Sequence, residues 1–207
     1  LTPAAFTGAA ELARLGRMAD YSIKRLTPEM AGDFLAFFDG PAFADNPKWA
    51  GCYCRCYHVD RAVAAWNEDD AVGNRADTVT RIAEGRMAGY LAYSGSEVVG
   101  WLNAGASGFY PADNIGGPDS EAARMGHVVC FVVSPAWRGR GVARSLLDGA
   151  LADFKAQGLT LAQGAPRPAA EGGAANYKGP LSLFERSGFS RHRDDSSGRT
   201  VFVRRAL

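Results

Sequence analysis

The spacing of apolar residues changes period several times along the chain. Tyr21-Ser22-Ile23-Lys24-Arg25-Leu26 alternates apolar and polar, the period of a strand. Thr27-Pro28-Glu29 then opens a helix, with an N-cap residue, a proline in the first turn and an early carboxylate. Leu35, Phe37 and Phe38 give that helix an apolar side, and Asp39-Gly40-Pro41 stops it. Val59 to Gly85 reads as one or two helices broken near residues 69–74. Tyr90–Tyr93 and Val98–Leu102 flank a Ser94-Gly95-Ser96 turn and predict a hairpin. Ser107 to Ser120, rich in Gly and Pro, reads as a loop. His127 to Val133 is a continuous apolar run, which predicts a central strand buried on both faces and ended by Pro135. From Gly141 to Gln157, Val142, Leu146, Ala150 and Phe154 recur at helical spacing. A short strand at Leu159–Ala162, a Gly/Ala/Pro-rich loop to Gly179, a short helix at Leu181–Ser187 and a closing hairpin (Phe189–Arg193, Thr200–Arg204) follow. Strands and helices alternate, with hairpins at both ends, so the class is mixed α/β.

Composition narrows this picture. The 207 residues fit one domain, 47% hydrophobic and 22% charged, which allows a packed core and gives no sign of disorder. A formal net charge of +1 shows no basic excess for nucleic acid. No apolar run approaches the ~18 residues that a membrane span requires. Glu11, Arg14 and Arg17 interrupt the Ala-rich start, which lacks the plan of a secretory signal. The domain is expected over residues 18–207. Residues 1–17 read as an upstream extension, a tag remnant or a short helix from Ala9 to Arg17. Four cysteines (Cys52, Cys54, Cys56, Cys130) without a sign of secretion suggest reduced thiols and a cytoplasmic location.

Candidate chemistry concentrates in Val133-Ser134-Pro135-Ala136-Trp137-Arg138-Gly139-Arg140-Gly141-Val142-Ala143. A buried strand ends at a proline, a loop with two glycines follows, and a long helix begins there. Glycines let backbone N–H groups converge without a side chain in the way. The helix N-terminus adds unpaired donors and partial positive charge, so the stretch predicts a pyrophosphate cradle. Arg138 and Arg140 add charge suited to phosphates.

This stretch resembles motif A of the GNAT acetyltransferase family, with Arg138, Gly141 and Ala143 at the motif's positions. Leu183-Phe184-Glu185-Arg186-Ser187-Gly188-Phe189 resembles the family's late helix and turn. The resemblance covers roughly residues 20–207. It implies a mixed central sheet, splayed at the coenzyme site and flanked by helices. It implies acetyl-coenzyme A as co-substrate and no metal. Gly139 to Val142 would form the cradle between Arg138 and Ala143, and Phe131, Val132 and Val133 would offer free backbone groups to the pantetheine arm. Asn176 lies near where relatives place a coenzyme-contacting asparagine. Catalysis would rest largely on proximity of thioester and amine. Several relatives place a glutamate base where this chain has His127, and an imidazole suits that task. A strand-end histidine bonded to backbone is the other reading of His127. Where relatives often have a tyrosine to protonate the leaving thiolate, this chain has Phe184, so Tyr177, Ser182 or no residue takes that part.

The segment Trp49-Ala50-Gly51-Cys52-Tyr53-Cys54-Arg55-Cys56-Tyr57-His58 also resembles one in a bacterial branch of the family. If extended, it puts its cysteines on one face and Tyr53, Arg55 and Tyr57 on the other. The thiols then read as core packing, with metal binding or an acceptor-pocket wall as alternatives. Trp66, Asp69, Asp70 and Trp101 read as solvated charges and core aromatics more readily than as acceptor ligands. The expected activity is transfer of acetyl to a primary amine of a small molecule, without nucleic acid or membrane partners. A homodimer is compatible with this. A protein or peptide acceptor, and a non-catalytic coenzyme A-binding module, are the competing readings.

Overall fold

A computed structural model describes residues 21–61, 64, 67, 69–168 and 176–207. The expectations for residues 1–17 and Trp66, and part of the loop before Asn176, fall outside these. Strands are β1 (Ser22–Arg25), β2 (Tyr90–Ser94), β3 (Glu97–Ala106), β4 (Met125–Val133), β5 (Leu161–Gly164), β6 (Ser190–Asp194) and β7 (Val201–Ala206). Helices are α1 (Ala31–Asp39), α2 (Ala71–Ala83), α3 (Val142–Ala156) and α4 (Leu181–Arg186). Among the described residues no helix is long and apolar enough to cross a membrane.

The strands form one sheet in the order β1-β2-β3-β4-β5-β7-β6. Only β4 and β5 pair in parallel, joined by α3 as a βαβ crossover. The apolar run thus occupies the middle of the sheet, and its eight residues from Met125 to Val132 are buried.

One local irregularity shapes the site. Asn103 faces Cys130 and Ala104 faces Val128, so Val129 is an extra residue in β4, a β-bulge. Past the bulge the side-chain alternation slips. Val128 and Phe131 pack into the core on one face, whereas Val129 and Cys130, although adjacent, both pack on the other. Pairing of β4 with β5 stops at Val128 and Gly164, immediately before the bulge. The rest of β4 pairs only with β3, and the sheet splays open on its β5 side.

The two faces bury different material. On the first, α3 lays Val142, Leu146, Ala150 and Phe154 against the sheet at the spacing the sequence predicts. Its first turn approaches β3 so closely that a Cβ on Gly100 would stand 2.7 Å from Val142 Cγ1. On the second face α1 contributes an aromatic cluster. Phe34, Phe37 and Phe38 are the buried side chains there, while Leu35 is half-buried. Phe34 stacks on Phe38 at 4.3 Å and meets Trp101 edge-on at 5.0 Å.

Helix α2 starts at Ala71, within the break near residues 69–74 that the sequence predicts. Asp70 accepts the Gly73 N–H at 2.9 Å and caps the helix there. Upstream, the Asn67 carbonyl accepts from the Asn74 side chain, and none of the described residues between 59 and 69 is helical.

Candidate active site

The strand–loop–helix junction adopts the geometry its glycines permit. Gly139 and Gly141 have φ of +72° and +87°, the left-handed region where a Cβ is strained. Gly141 is the N-cap of α3 and no side chain caps this end, so the first helical N–H groups point out of the turn. Gly139, Arg140 and Gly141 are exposed, while Val142 is buried in the core. Arg140 lies over the Trp137 ring at 5.2 Å, and its carbonyl accepts from the Tyr21 hydroxyl at 3.1 Å.

Arg138 is already engaged. It grips Asp45 with two nitrogens at 2.5 and 3.1 Å and donates from Nε to the Val133 carbonyl at 3.1 Å. The same guanidinium holds the Asp45 carboxyl below its usual range. Arg138 therefore fastens the 41–45 segment to the end of β4, besides placing positive charge near the loop.

A cavity of about 790 Å³ opens along the unpaired part of β4. Phe131, Val132, Val133, Arg138, Ala143, Asn176 and Tyr177 all line it, so seven of the residues singled out in the sequence meet there. The free strand edge is partly in use, however. The Phe131 N–H donates to the Tyr177 carbonyl at 2.6 Å, and the Val133 carbonyl holds Arg138. The cavity is also lined by Cys52, Cys54, Cys56 and Tyr57, and by Cys130 of β4.

His127 faces a different space, a cavity of about 420 Å³ that also touches Gln163, Gly116 and Phe202. The two cavities share Tyr57, Asp113, Asn114 and Lys178 as walls. His127 Nε2 lies 2.9 Å from Ser107 Oγ, which bonds the Met125 carbonyl at 3.2 Å. Burial, and then the Arg204 guanidinium, lower His127 to about 4, against the ordinary value near 6.5 expected from sequence. The imidazole is thus neutral at pH 7. Tyr177 has an Arg167 guanidinium over its ring at 5.6 Å and Trp49 edge-on at 5.8 Å. Burial raises its pKa, which keeps the phenol protonated at neutral pH. Phe184 is fully buried against Phe131 and Phe189 and lines neither cavity.

The cysteine segment is not extended. It forms two short 3-10 turns, Pro47–Cys52 and Arg55–Tyr57, joined by left-handed Tyr53 and Cys54 (φ 42° and 52°). No two-residue alternation exists, so Tyr53 and Cys54 are both buried. The turns are fixed by polar contacts. Asn103, fully buried in β3, donates to the Cys54 carbonyl at 3.3 Å and lies 3.1 Å from His58 Nε2. His58 Nδ1 lies 3.0 Å from the Phe109 carbonyl, and Tyr110 donates to Asn103 Oδ1 at 2.9 Å. Asn114 donates to the carbonyls of Tyr57 and Val59, tying the 107–120 loop to the segment. All four cysteines are free thiols, and burial pushes Cys56 up to about 12. Among the described residues no group of three or more His, Cys, Asp or Glu is placed to hold a metal ion. Trp101 is a core aromatic, Asp70 a helix cap, and Asp69 is exposed.

Asp45, Asp113, Asn114 and Lys178 did not emerge from the sequence as site residues. They lie on separate segments with no shared motif. Only Lys178 adjoins positions already singled out, Asn176 and Tyr177.

The family model described as "Acetyltransferase (GNAT) family" matches residues 48–172, and the chain belongs to that family. Acyl transfer is accordingly its class of chemistry. Comparison with curated proteins finds no match. Among solved structures it is similar to a GNAT-family acetyltransferase from Streptococcus pneumoniae (TM-score 0.53, 13% identity, covering 91% of this chain and 100% of that one). It is similar to PaiA N-acetyltransferase from Thermoplasma acidophilum in complex with coenzyme A (TM-score 0.55, 11% identity, 91% and 99% covered). It is also similar to yncA from Salmonella typhimurium with acetyl-CoA (TM-score 0.52, 15% identity, 90% and 94% covered). At these identities the likeness is one of fold: a mixed seven-stranded sheet flanked by helices.

Proposed function

We propose that the protein is an N-acetyltransferase that moves the acetyl group of acetyl-coenzyme A to a primary amine of a small molecule. The observation that carries this reading is the meeting of two cavities beside the bulge of β4. One extends to the start of α3, and the other, about 420 Å³, lies across the Tyr57–Lys178 wall. Two of the fold neighbours were solved with coenzyme A or acetyl-CoA. In this reading, the N–H groups of residues 139–143 and the α3 N-terminus hold the pyrophosphate. The pantetheine arm follows β4, and the thioester reaches the junction of the cavities. His127, neutral and on the acceptor side, takes the amine's proton directly or through water. In this reading the attacking nitrogen forms the amide bond as the carbon–sulfur bond breaks, Tyr177 gives its proton to the thiolate, and the proton taken up by His127 returns through solvent to restore the phenol. The second cavity is bounded by the 113–116 loop, which favours a small acceptor over a polypeptide.

Thioester consumption measured against a panel of small amines and peptides, with products identified by mass spectrometry, tests this reading. Turnover with small amines is expected. Turnover confined to peptides would move the acceptor class. Coenzyme binding without turnover on any amine would leave only a binding module.

A further inference from the structure

Lys178 is the one lysine shared by both cavities. The Tyr177 carbonyl accepts the Phe131 N–H at 2.6 Å, and Gly179 N–H closes a turn onto the Asn176 carbonyl at 2.8 Å. Gly179 is seated so tightly that a Cβ there would lie 2.9 Å from the Phe131 ring. Lys178 is thus held between two anchored residues, directly beside the stretch of β4 that β5 leaves unpaired. The nearby charged and titratable groups are Arg167, Asp195, Cys130 and Cys56.

Resting on the reading of the larger cavity as the coenzyme site, we propose that Lys178 is an intramolecular acceptor, acetylated by the protein's own bound acetyl-coenzyme A when no amine occupies the second cavity. The Nζ lone pair attacks the thioester carbonyl carbon, the carbon–sulfur bond breaks, and the proton lost by nitrogen goes to the thiolate. The products are N-acetyl-Lys178 and free coenzyme A, with no other reactant. Two conditions favour this. Proximity is fixed by the turn rather than by diffusion. Burial, and then Arg167, lower the lysine pKa, which increases the neutral, nucleophilic fraction. The product is an amide, which does not return the acetyl group. The event therefore occurs once per chain, removes a positive charge from the shared wall and lengthens the side chain into it. Acetylated protein should turn over acceptor amines more slowly than unmodified protein.

The chain has four lysines, and Lys24, Lys48 and Lys155 are exposed. Lys24 and Lys155 line neither cavity and serve as remote controls, whereas Lys48 lines the larger cavity and serves as a control at the same site. Full-length protein is incubated with acetyl-coenzyme A without an amine. Intact mass and peptide mapping follow the acetyl groups, and calorimetry with free coenzyme A measures binding in parallel. The expected result is one acetyl group per chain, at Lys178, gained at least ~10-fold faster than at the other three lysines. Lys178→Arg and heat-denatured protein should lack the fast event. Even spread over the four lysines, or fast labelling that persists in Lys178→Arg, with coenzyme binding intact, overturns the inference and leaves the coenzyme site standing. Failure of the parent to bind coenzyme A removes both. Should Lys178→Arg not fold, the ratio among the parent's own four lysines still decides.

Discussion

In the proposed reading, residues 133–143 build the coenzyme side of the site from one contiguous stretch, whereas the acceptor side is assembled from segments near residues 57, 113, 127, 163 and 178. The first side needs only a strand, two left-handed glycines and a helix start. Its functional groups are backbone N–H groups, whose direction follows from local conformation. The second side includes Tyr57, which is held at the end of short turns with non-glycine left-handed residues at Tyr53 and Cys54. Such turns cost energy locally and persist because buried polar contacts over-determine them. Asn103, His58, Tyr110 and Asn114 supply those contacts. A phosphate cradle can thus be self-contained, while an acceptor wall depends on distant elements holding it.

Four experiments would break or sharpen that contrast. The largest effect is expected from His127→Ala, which should lower acetylation by roughly 10²–10⁴-fold at neutral pH with coenzyme affinity almost unchanged. With His127 lowered to about 4, the parent's rate profile should inflect near that value and not near 6.5. A few-fold loss would return His127 to a strand-end role.

Next is the acid side of stability. Burial, the largest cause for each, lowers both His58 and His127 to about 4 from 6.5. Both are neutral in the folded state above 6.5, so their contribution is fully present there. As pH falls from 6.5 to about 4, the unfolded chain takes up protons first, and stability drops by on the order of 3 kcal/mol per histidine at most. Urea midpoints across this window should fall, and replacing either histidine should flatten the slope.

Third, Gly141→Asp should weaken coenzyme A binding by roughly 100-fold, through strain at φ +87° and a carboxylate set against the pyrophosphate. Unchanged affinity in calorimetry, with the fold intact, would remove the cradle from this loop. The smallest effect is expected from Tyr110→Phe. It removes a buried hydroxyl that donates to Asn103 and should cost about 1–3 kcal/mol of stability, read from urea unfolding. Coenzyme affinity should hold while acceptor turnover declines. Equal losses of both would mean that the two sides are not separable.

The legibility of the chain follows the same division. The central strand, α3 with four of its six buried positions, and both hairpins stood in the sequence because each is a periodic pattern over consecutive residues. The assignment of the chain to its family likewise rests on a contiguous motif. Alternation failed for the cysteine segment, because it presumes extended backbone and cannot anticipate left-handed turns at Tyr53 and Cys54. The break expected near residues 69–74 is where α2 begins, at the Asp70 cap, while the described residues between 59 and 69 are not helical.

The sequence by itself determined where the backbone would turn left-handed, at Gly139 and Gly141, and which apolar residues would form the central strand and α3, since these depend on neighbours within a few residues. Only the tertiary structure decided that Val129 bulges and ends the β4–β5 pairing, that Arg138 is tied to Asp45, and that His127 and Tyr177 face different cavities. It alone set Lys178 between those cavities, and it alone lowered His127 to about 4. The reason is physical: register, burial and charge pairing depend on residues far apart in the chain, and no window along the sequence contains both partners.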